Sequence, residues 1–183
     1  LLGDFKNTKE EKNAIEIIMA RKSVRSYTSR PVEKEKVDIM LKAAMAAPSA
    51  VNKQPWAFIV IDDRDVLNKL AEVLPYAKMT AEAPMAIVVC GDLAKSLNGE
   101  FGKYWMLDCS AASENLLLVA EALELGAVWT AIYPEEQRIE NVRKVLSLPE
   151  HIVPFNLIPI GYPQRNEEAK DKFKQENIHY NQW

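Results

Sequence analysis

Glycine is scarce in this chain, with six among 183 residues. None falls in a GxGxxG or GxxxxGK[ST] arrangement, so neither the dinucleotide-binding fingerprint nor a P-loop can be written onto the sequence. Cysteine is scarcer: Cys90 in AIVVCGD and Cys109 in MLDCSAA each sit in an apolar run, where a free thiol acts as a small core hydrophobe. With His151 and His179 the only histidines, and no Cys or His pair at ligand spacing, no metal site is expected. A GxSxG elbow, an HExxH helix and a flanked carboxylate pair are all missing, which argues against a hydrolase. Apolar runs such as Met85 to Cys90 fall far short of the roughly 20 residues that cross a bilayer. The stretch LLGDFKNTKEEKN turns polar after two leucines and has no apolar centre of the secretory kind, so a cytoplasmic location is the expectation. An excess of one charge is lacking too: 23 basic against 26 acidic side chains leave a net charge of −3, which removes the attraction that nucleic-acid binding depends on.

What is present is an ordinary globular composition, 48% hydrophobic and 27% charged. A chain of this size can bury roughly 70% of its unfolded surface in one core. The expected organisation is a flexible charged lead-in over residues 1–13 and a single domain over 14–183. Periodicity predicts helices over Ala14–Ala20, Glu33–Ala46, Asp65–Val73 and Glu135–Leu146, and strands over Trp56–Ile61, Met85–Cys90, Ala127–Tyr133 and Ile152–Ile160. Pro154 and Pro159 argue that the last strand lies at an edge. The longest helical pattern, Gly102 to Leu125, is apolar round most of its circumference and is expected to be covered by its own core and by a second subunit, with Gly126 as its stop. The segment Gly161–Trp183 has aromatic side chains without helical period and is expected to lie extended over another surface.

Three groups of residues could carry chemistry. Arg21, Lys22, Ser23 and Arg25 follow the first helix directly. In an extended segment Arg21, Ser23 and Arg25 face one way, as an anion clamp would require; a solvated basic turn that steadies the helix C-terminus is the other reading. The proline-bounded loop APSAVNKQPW offers Ser49, Asn52 and Gln54, neutral donors and acceptors suited to a polar ligand edge or to the loop's own backbone. Lys170 and Lys172 would share one side of an extended tail, near one anion or in solvent.

In this order, RKSVRSY, APSAVNKQPW, GAVWTAIYP, IPIGYP and KDKFKQENIHYNQW resemble the nitroreductase family of FMN-dependent oxidoreductases, in its short single-domain form. The resemblance covers about Arg21 to Trp183. It implies an α+β fold, a central and mainly antiparallel sheet flanked by helices, in an intertwined homodimer with FMN at the interface. The helix around Leu116 would then pack across the dimer and the aromatic tail would wrap the partner. Matched residue by residue, Arg21 and Ser23 correspond to phosphate and ribityl contacts, with Lys22 beside them, and Lys170 and Lys172 to the basic pair that completes phosphate binding. Arg25 corresponds to the cation near flavin N1 and O2 and is the one residue assigned a catalytic role. Pro48, Ser49, Ala50 and Asn52 correspond to a segment reaching the flavin from the other subunit, with Ala50 standing where relatives often carry a small polar residue. Trp129, Thr130 and Ile132 correspond to the stretch beside the isoalloxazine ring. The implied activity is ping-pong transfer from NADH or NADPH to a small-molecule acceptor such as a quinone, nitroaromatic or enone, with no nucleic-acid or membrane partner. The alternative is a protein that stores or senses FMN without turnover.

Overall fold

The computed structural model describes residues 13–183. Residues 1–12 of the expected lead-in lie outside the described residues; its last member, Asn13, is the cap of the first helix, α1 (Ala14–Ala20). The Asn13 side chain accepts from the Ile15 and Glu16 N–H groups at 3.0 and 3.1 Å, and Glu16 accepts in return from the Asn13 N–H at 2.9 Å. That reciprocal capping box explains why a helix of seven residues starts where it does.

The remaining elements are α2 (Lys34–Met45), β1 (Trp56–Ile61), α3 (Arg64–Val73), β2 (Met85–Asp92), α4 (Tyr104–Ala122), β3 (Gly126–Ala127), β4 (Thr130–Ala131), α5 (Glu136–Leu146) and β5 (Ile152–Gly161). The sheet runs β1-β2-β5-β3, with β4 also on β5, and its ladders are antiparallel. All eight residues of β2 are buried, so the strand reads as an unbroken apolar run because both its faces are covered. Alternate residues divide between two cores. Met85, Ile87 and Val89 join Met40, Cys109 and Leu116 under α2 and α4, whereas Ala86, Val88 and Cys90 join Leu67, Leu70 and Val142 under α3 and α5. Two glycines let layers meet: a Cβ at Gly91 would lie 2.3 Å from the Trp105 ring, and one at Gly126 would lie 2.6 Å from Val24.

Three expectations need correction. Strand β5 is central, between β2 and β3, despite its prolines. Pro154 sits beside the bulge where the β2 register shifts between Val89 and Cys90. Pro159 falls between the residues paired by β4 and β3, and its carbonyl turns to the Tyr27 hydroxyl at 3.2 Å, so no ladder partner misses its absent N–H. The long helix stops at Leu123, followed by left-handed Glu124 (φ 60°), and Gly126 instead opens β3. The stretch Ala127–Tyr133 is not one strand but two short pieces joined through Val128 and Trp129. Leu116 is fully buried in its own chain, so the face of α4 left for a partner is the one carrying Leu107, which is 63% exposed.

Candidate functional site: a cationic strip, a strained loop and a tail

The segment after α1 is extended, as the Arg21 dihedrals (φ −57°, ψ 131°) begin to show. Val24 turns into the core and its N–H donates to the Ala127 carbonyl at 3.0 Å, while Arg25 stays exposed. Ser23 forms a parallel bridge with Ala127. That bridge brings Arg21–Arg25 beside the residues leading to Trp129 and Thr130, two stretches far apart in sequence. Tyr27 closes the segment: its buried hydroxyl donates to Val24 O at 2.6 Å, and burial pushes its pKa well above the ordinary tyrosine value.

Two of the three cations are anchored on α4. Arg21 Nε pairs with Glu114 Oε1 at 3.4 Å, and among the described residues the two Nη atoms of its fork make no bond. Lys22 Nζ lies 3.2 and 3.4 Å from the two Glu121 oxygens, so this lysine is committed to the helix. Among the described residues the Arg25 guanidinium bonds only the Ser23 carbonyl, at 3.5 Å. A forked guanidinium held by its third nitrogen is the geometry that bidentate binding of a phosphate needs.

Between Pro48 and Pro55 the backbone is unusual. Val51 (φ 51°), Asn52 (φ 54°) and Gln54 (φ 49°) are all left-handed without being glycine, at a cost of about 1–3 kcal/mol each. Val51 is β-branched and 80% exposed, so among the described residues no packing repays that strain. The loop binds itself through Ser49 Oγ, which accepts the Gln54 N–H at 2.9 Å, and through Gln54 Nε2 donating to Asn52 Oδ1 at 3.2 Å. It is fixed to α4 by Asp108, whose Oδ1 accepts the Ala50 N–H at 2.9 Å. Pro48 is exposed and Ser49 half-buried.

Of the other expected residues, Trp129 is half-buried and meets Phe155 edge-on at 5.4 Å. The Thr130 hydroxyl donates to the Leu157 carbonyl at 2.6 Å, and Ile132 is fully buried with its N–H on the Phe155 carbonyl at 3.2 Å. These two hold the segment to β5. Lys170 and Lys172 are exposed and, among the described residues, make no hydrogen bond or ion pair; Phe173, Tyr180 and Trp183 of the same tail are 70, 78 and 100% exposed. The tail leaves the body from a defined point, since the Gln164 N–H donates to Ser26 O at 3.0 Å and Ser26 Oγ donates to Gln164 Oε1 at 2.8 Å. Just before it, Tyr162 donates to Glu33 at 2.6 Å beneath the Arg30 guanidinium, and that hydroxyl bond, with Arg30, holds the Glu33 carboxyl down at about 2.

Within one chain, then, the strip and the β3–β4 segment are brought together, whereas Lys170 and Lys172 are not joined to Arg21. Both cysteines are buried and free, and burial pushes the Cys90 thiol up to about 12, which disfavours a thiolate there. Among the described residues, no group of three His, Cys, Asp or Glu could hold a metal ion, and no helix is long and apolar enough to cross a membrane. Sequence reading missed Asp108 and Glu114. The signal for Asp108 was a single carboxylate inside the apolar run MLDCSAA.

A family model described as the nitroreductase family matches residues 18–75 and 70–162. A protein of Methanothermobacter thermautotrophicus, provisionally named an NADH dehydrogenase/NAD(P)H nitroreductase, is 47% identical over 171 residues, covering 93% of this chain and 88% of its own length. A crystal structure from Parabacteroides distasonis under the same provisional name superposes with a TM-score of 0.89 at 54% identity, over 94% of this chain and all of that one. A Clostridium difficile structure named an FMN-dependent nitroreductase gives a TM-score of 0.84 at 30% identity, over 92% of this chain and 99% of its own.

Proposed function

This chain belongs to the nitroreductase family, and from that premise we propose that it is an FMN-dependent NAD(P)H oxidoreductase that works as a homodimer with the flavin held between protomers. The observation that supports the reading is the Ser23–Ala127 bridge, which runs the segment carrying Arg21 and Ser23 alongside Ala127, two residues before Trp129. That donor set fits a phosphate-bearing, planar cofactor. Bound FMN supplies the redox chemistry, accepting a hydride from a nicotinamide and passing electrons to a second substrate.

The chain's own residues then have separable tasks. Arg21 takes the phosphate through its free fork and Ser23 adds a hydroxyl. Lys170 and Lys172, unbonded in an exposed tail, complete the charge once the tail lies on the assembled dimer. Lys22 steadies the strip through Glu121. Arg25 stands by the pyrimidine edge, where a guanidinium in a partly dry site stabilises negative charge and raises the flavin's reduction potential. Pro48, Ser49, Ala50 and Asn52 reach the partner's flavin; Trp129 borders the ring, with Thr130 and Ile132 fixing its segment to β5.

The need for a second copy is supported by apolar side chains that the single chain leaves outside: Ile15, Ile18 and Met19 on α1, Met45 at the end of α2, Val51, and Leu107 on α4, on elements that pack against α4 or belong to it. A concavity of about 10 Å³ beside Tyr76, Ala131 and Arg138 has room for no more than a water, so it is no flavin site. Turnover is ping-pong: the nicotinamide gives up its hydride and leaves as NAD+ or NADP+ before a quinone, nitroaromatic or enone enters, and water supplies the proton. Anaerobic addition of NADH or NADPH to the yellow protein tests this. Rapid bleaching, restored by a quinone, is the expected result; unchanged visible absorbance at saturating nicotinamide would contradict turnover and leave an FMN store or sensor.

A further inference from the structure

We infer that Asp108 is a positioning residue for flavin binding: its carboxylate locks the Pro48–Gln54 loop onto α4 in the one conformation that can be offered to a second copy. The inference rests on the FMN reading above. Asp108 is only 6% exposed on α4, between exposed Leu107 and buried Cys109. A carboxylate withdrawn from water needs a donor, and the Ala50 N–H supplies one at 2.9 Å.

Among the described residues, every other hydrogen bond of residues 48–54 stays inside the loop. The Asn52 N–H donates to Ser49 O and the Lys53 N–H to Ala50 O, at 2.9 and 3.0 Å, and such bonds travel with the loop if it swings. Among the described residues, the Asp108–Ala50 bond alone reaches residues 48–54 from another element. It acts at the start of the left-handed run at Val51, Asn52 and Gln54, a conformation that non-glycine residues keep only when their surroundings impose it.

Its place on α4 also matters. Glu114, six residues on and so about 9 Å along the axis, holds Arg21 by Nε. One rigid helix thus fixes the spacing between the loop given to the partner and the phosphate clamp kept for the chain's own flavin. Asp108 touches no substrate in this account; it acts through Ala50.

The test uses the full chain and two ways of removing the bond. Asp108→Ala deletes the acceptor. Ala50→Pro deletes the donor where proline is tolerated, at the first position of a helical turn behind an extended Ser49 (φ −139°, ψ 153°). Each is expected to weaken FMN binding, read by quenching of FMN fluorescence, by roughly tenfold or more, the scale of a lost bond to a charged group. The visible circular dichroism of bound FMN should change, and amide exchange should quicken over residues 49–54 but not in β2. Asp108→Asn, which keeps an acceptor oxygen, should recover most of the affinity that Asp108→Ala loses. Wild-type affinity and dichroism in both disruptive variants would overturn the positioning role while leaving the FMN reading intact. Wild-type protein that takes up no FMN would overturn both. If Asp108→Ala fails to fold, Ala50→Pro decides by amide exchange over residues 49–54 in the flavin-free protein, which loss of a direct flavin contact would not quicken and which wild-type rates would count against.

Discussion

The two halves of this molecule obey opposite rules. Around β2, β5 and α4, apolar side chains are buried on both faces of the sheet, so a core forms within one chain. Around Arg21–Arg25, the Pro48–Gln54 loop and the tail, Arg25, Lys170 and Lys172 are exposed, four non-glycine residues (Val51, Asn52, Gln54 and Asn181) are left-handed, and aromatic side chains face solvent. Proteins tolerate such features where something outside the chain repays them. The contrast teaches that folding and function draw on different residues here, and that the second set is finished only by a ligand and a second copy.

The contrast breaks most visibly in the core. Leu116→Ala, at a fully buried position, should cost about 2–5 kcal/mol in urea unfolding. A loss below about 1 kcal/mol would mean that α4 is not the centre of a packed core.

The strip should behave in the opposite way. Arg21→Ala combined with Lys172→Ala should leave unfolding within about 1 kcal/mol of wild type, because among the described residues the one pair lost, Arg21–Glu114, is part-exposed. The same variant should lose roughly a hundredfold in FMN affinity, as expected for two charge-assisted contacts. Unaltered affinity would remove the phosphate clamp. Arg25→Ala sharpens the division further. It should lower the flavin potential by about 30 mV, the equivalent of ~1.4 kcal/mol for two electrons, with a smaller effect on retention, and an unchanged potential in spectroelectrochemical titration would refute its electrostatic role.

The smallest effect lies where the two regions meet, at Glu33 and Tyr162. The Glu33 carboxyl is held down at about 2 by the Tyr162 hydroxyl and Arg30, below its ordinary value. A group with a lowered folded-state pKa contributes stability above its unfolded value, and that contribution fades as pH falls from about 4.5 toward 2. Tyr162→Phe should therefore narrow the gap in Tm between pH 6 and pH 3 relative to wild type. An identical pH profile would show that the pair does not couple to folding.

Much of the core was legible in the sequence because its signals are local and periodic. The helix read over Asp65–Val73 lies within one residue of α3, and the strand read over Trp56–Ile61 coincides with β1. The errors arose where tertiary context overrode a local rule. Pro159 misplaced β5 because the sequence does not show that its carbonyl finds the Tyr27 hydroxyl instead of a ladder partner. Gly126 looked like a helix stop, yet its use is to let Val24 approach, while Glu124 makes the left-handed turn. For the site, spacing alone could set Arg21, Ser23 and Arg25 on one side of a strand. It could not show that Lys22 is tied to Glu121 or that Val51, Asn52 and Gln54 are left-handed, because no glycine marks the loop. Asp108 was hidden for the same reason: its partner is a backbone N–H brought to it only by folding.

Size-exclusion chromatography with light scattering and visible absorbance on one peak tests the central claim most directly. The account predicts a single yellow species of twice the chain mass carrying one FMN per chain, with flavin and dimer lost together on dilution. A monomer that retains FMN at full occupancy, or a stable dimer that stays colourless after incubation with FMN, would contradict it.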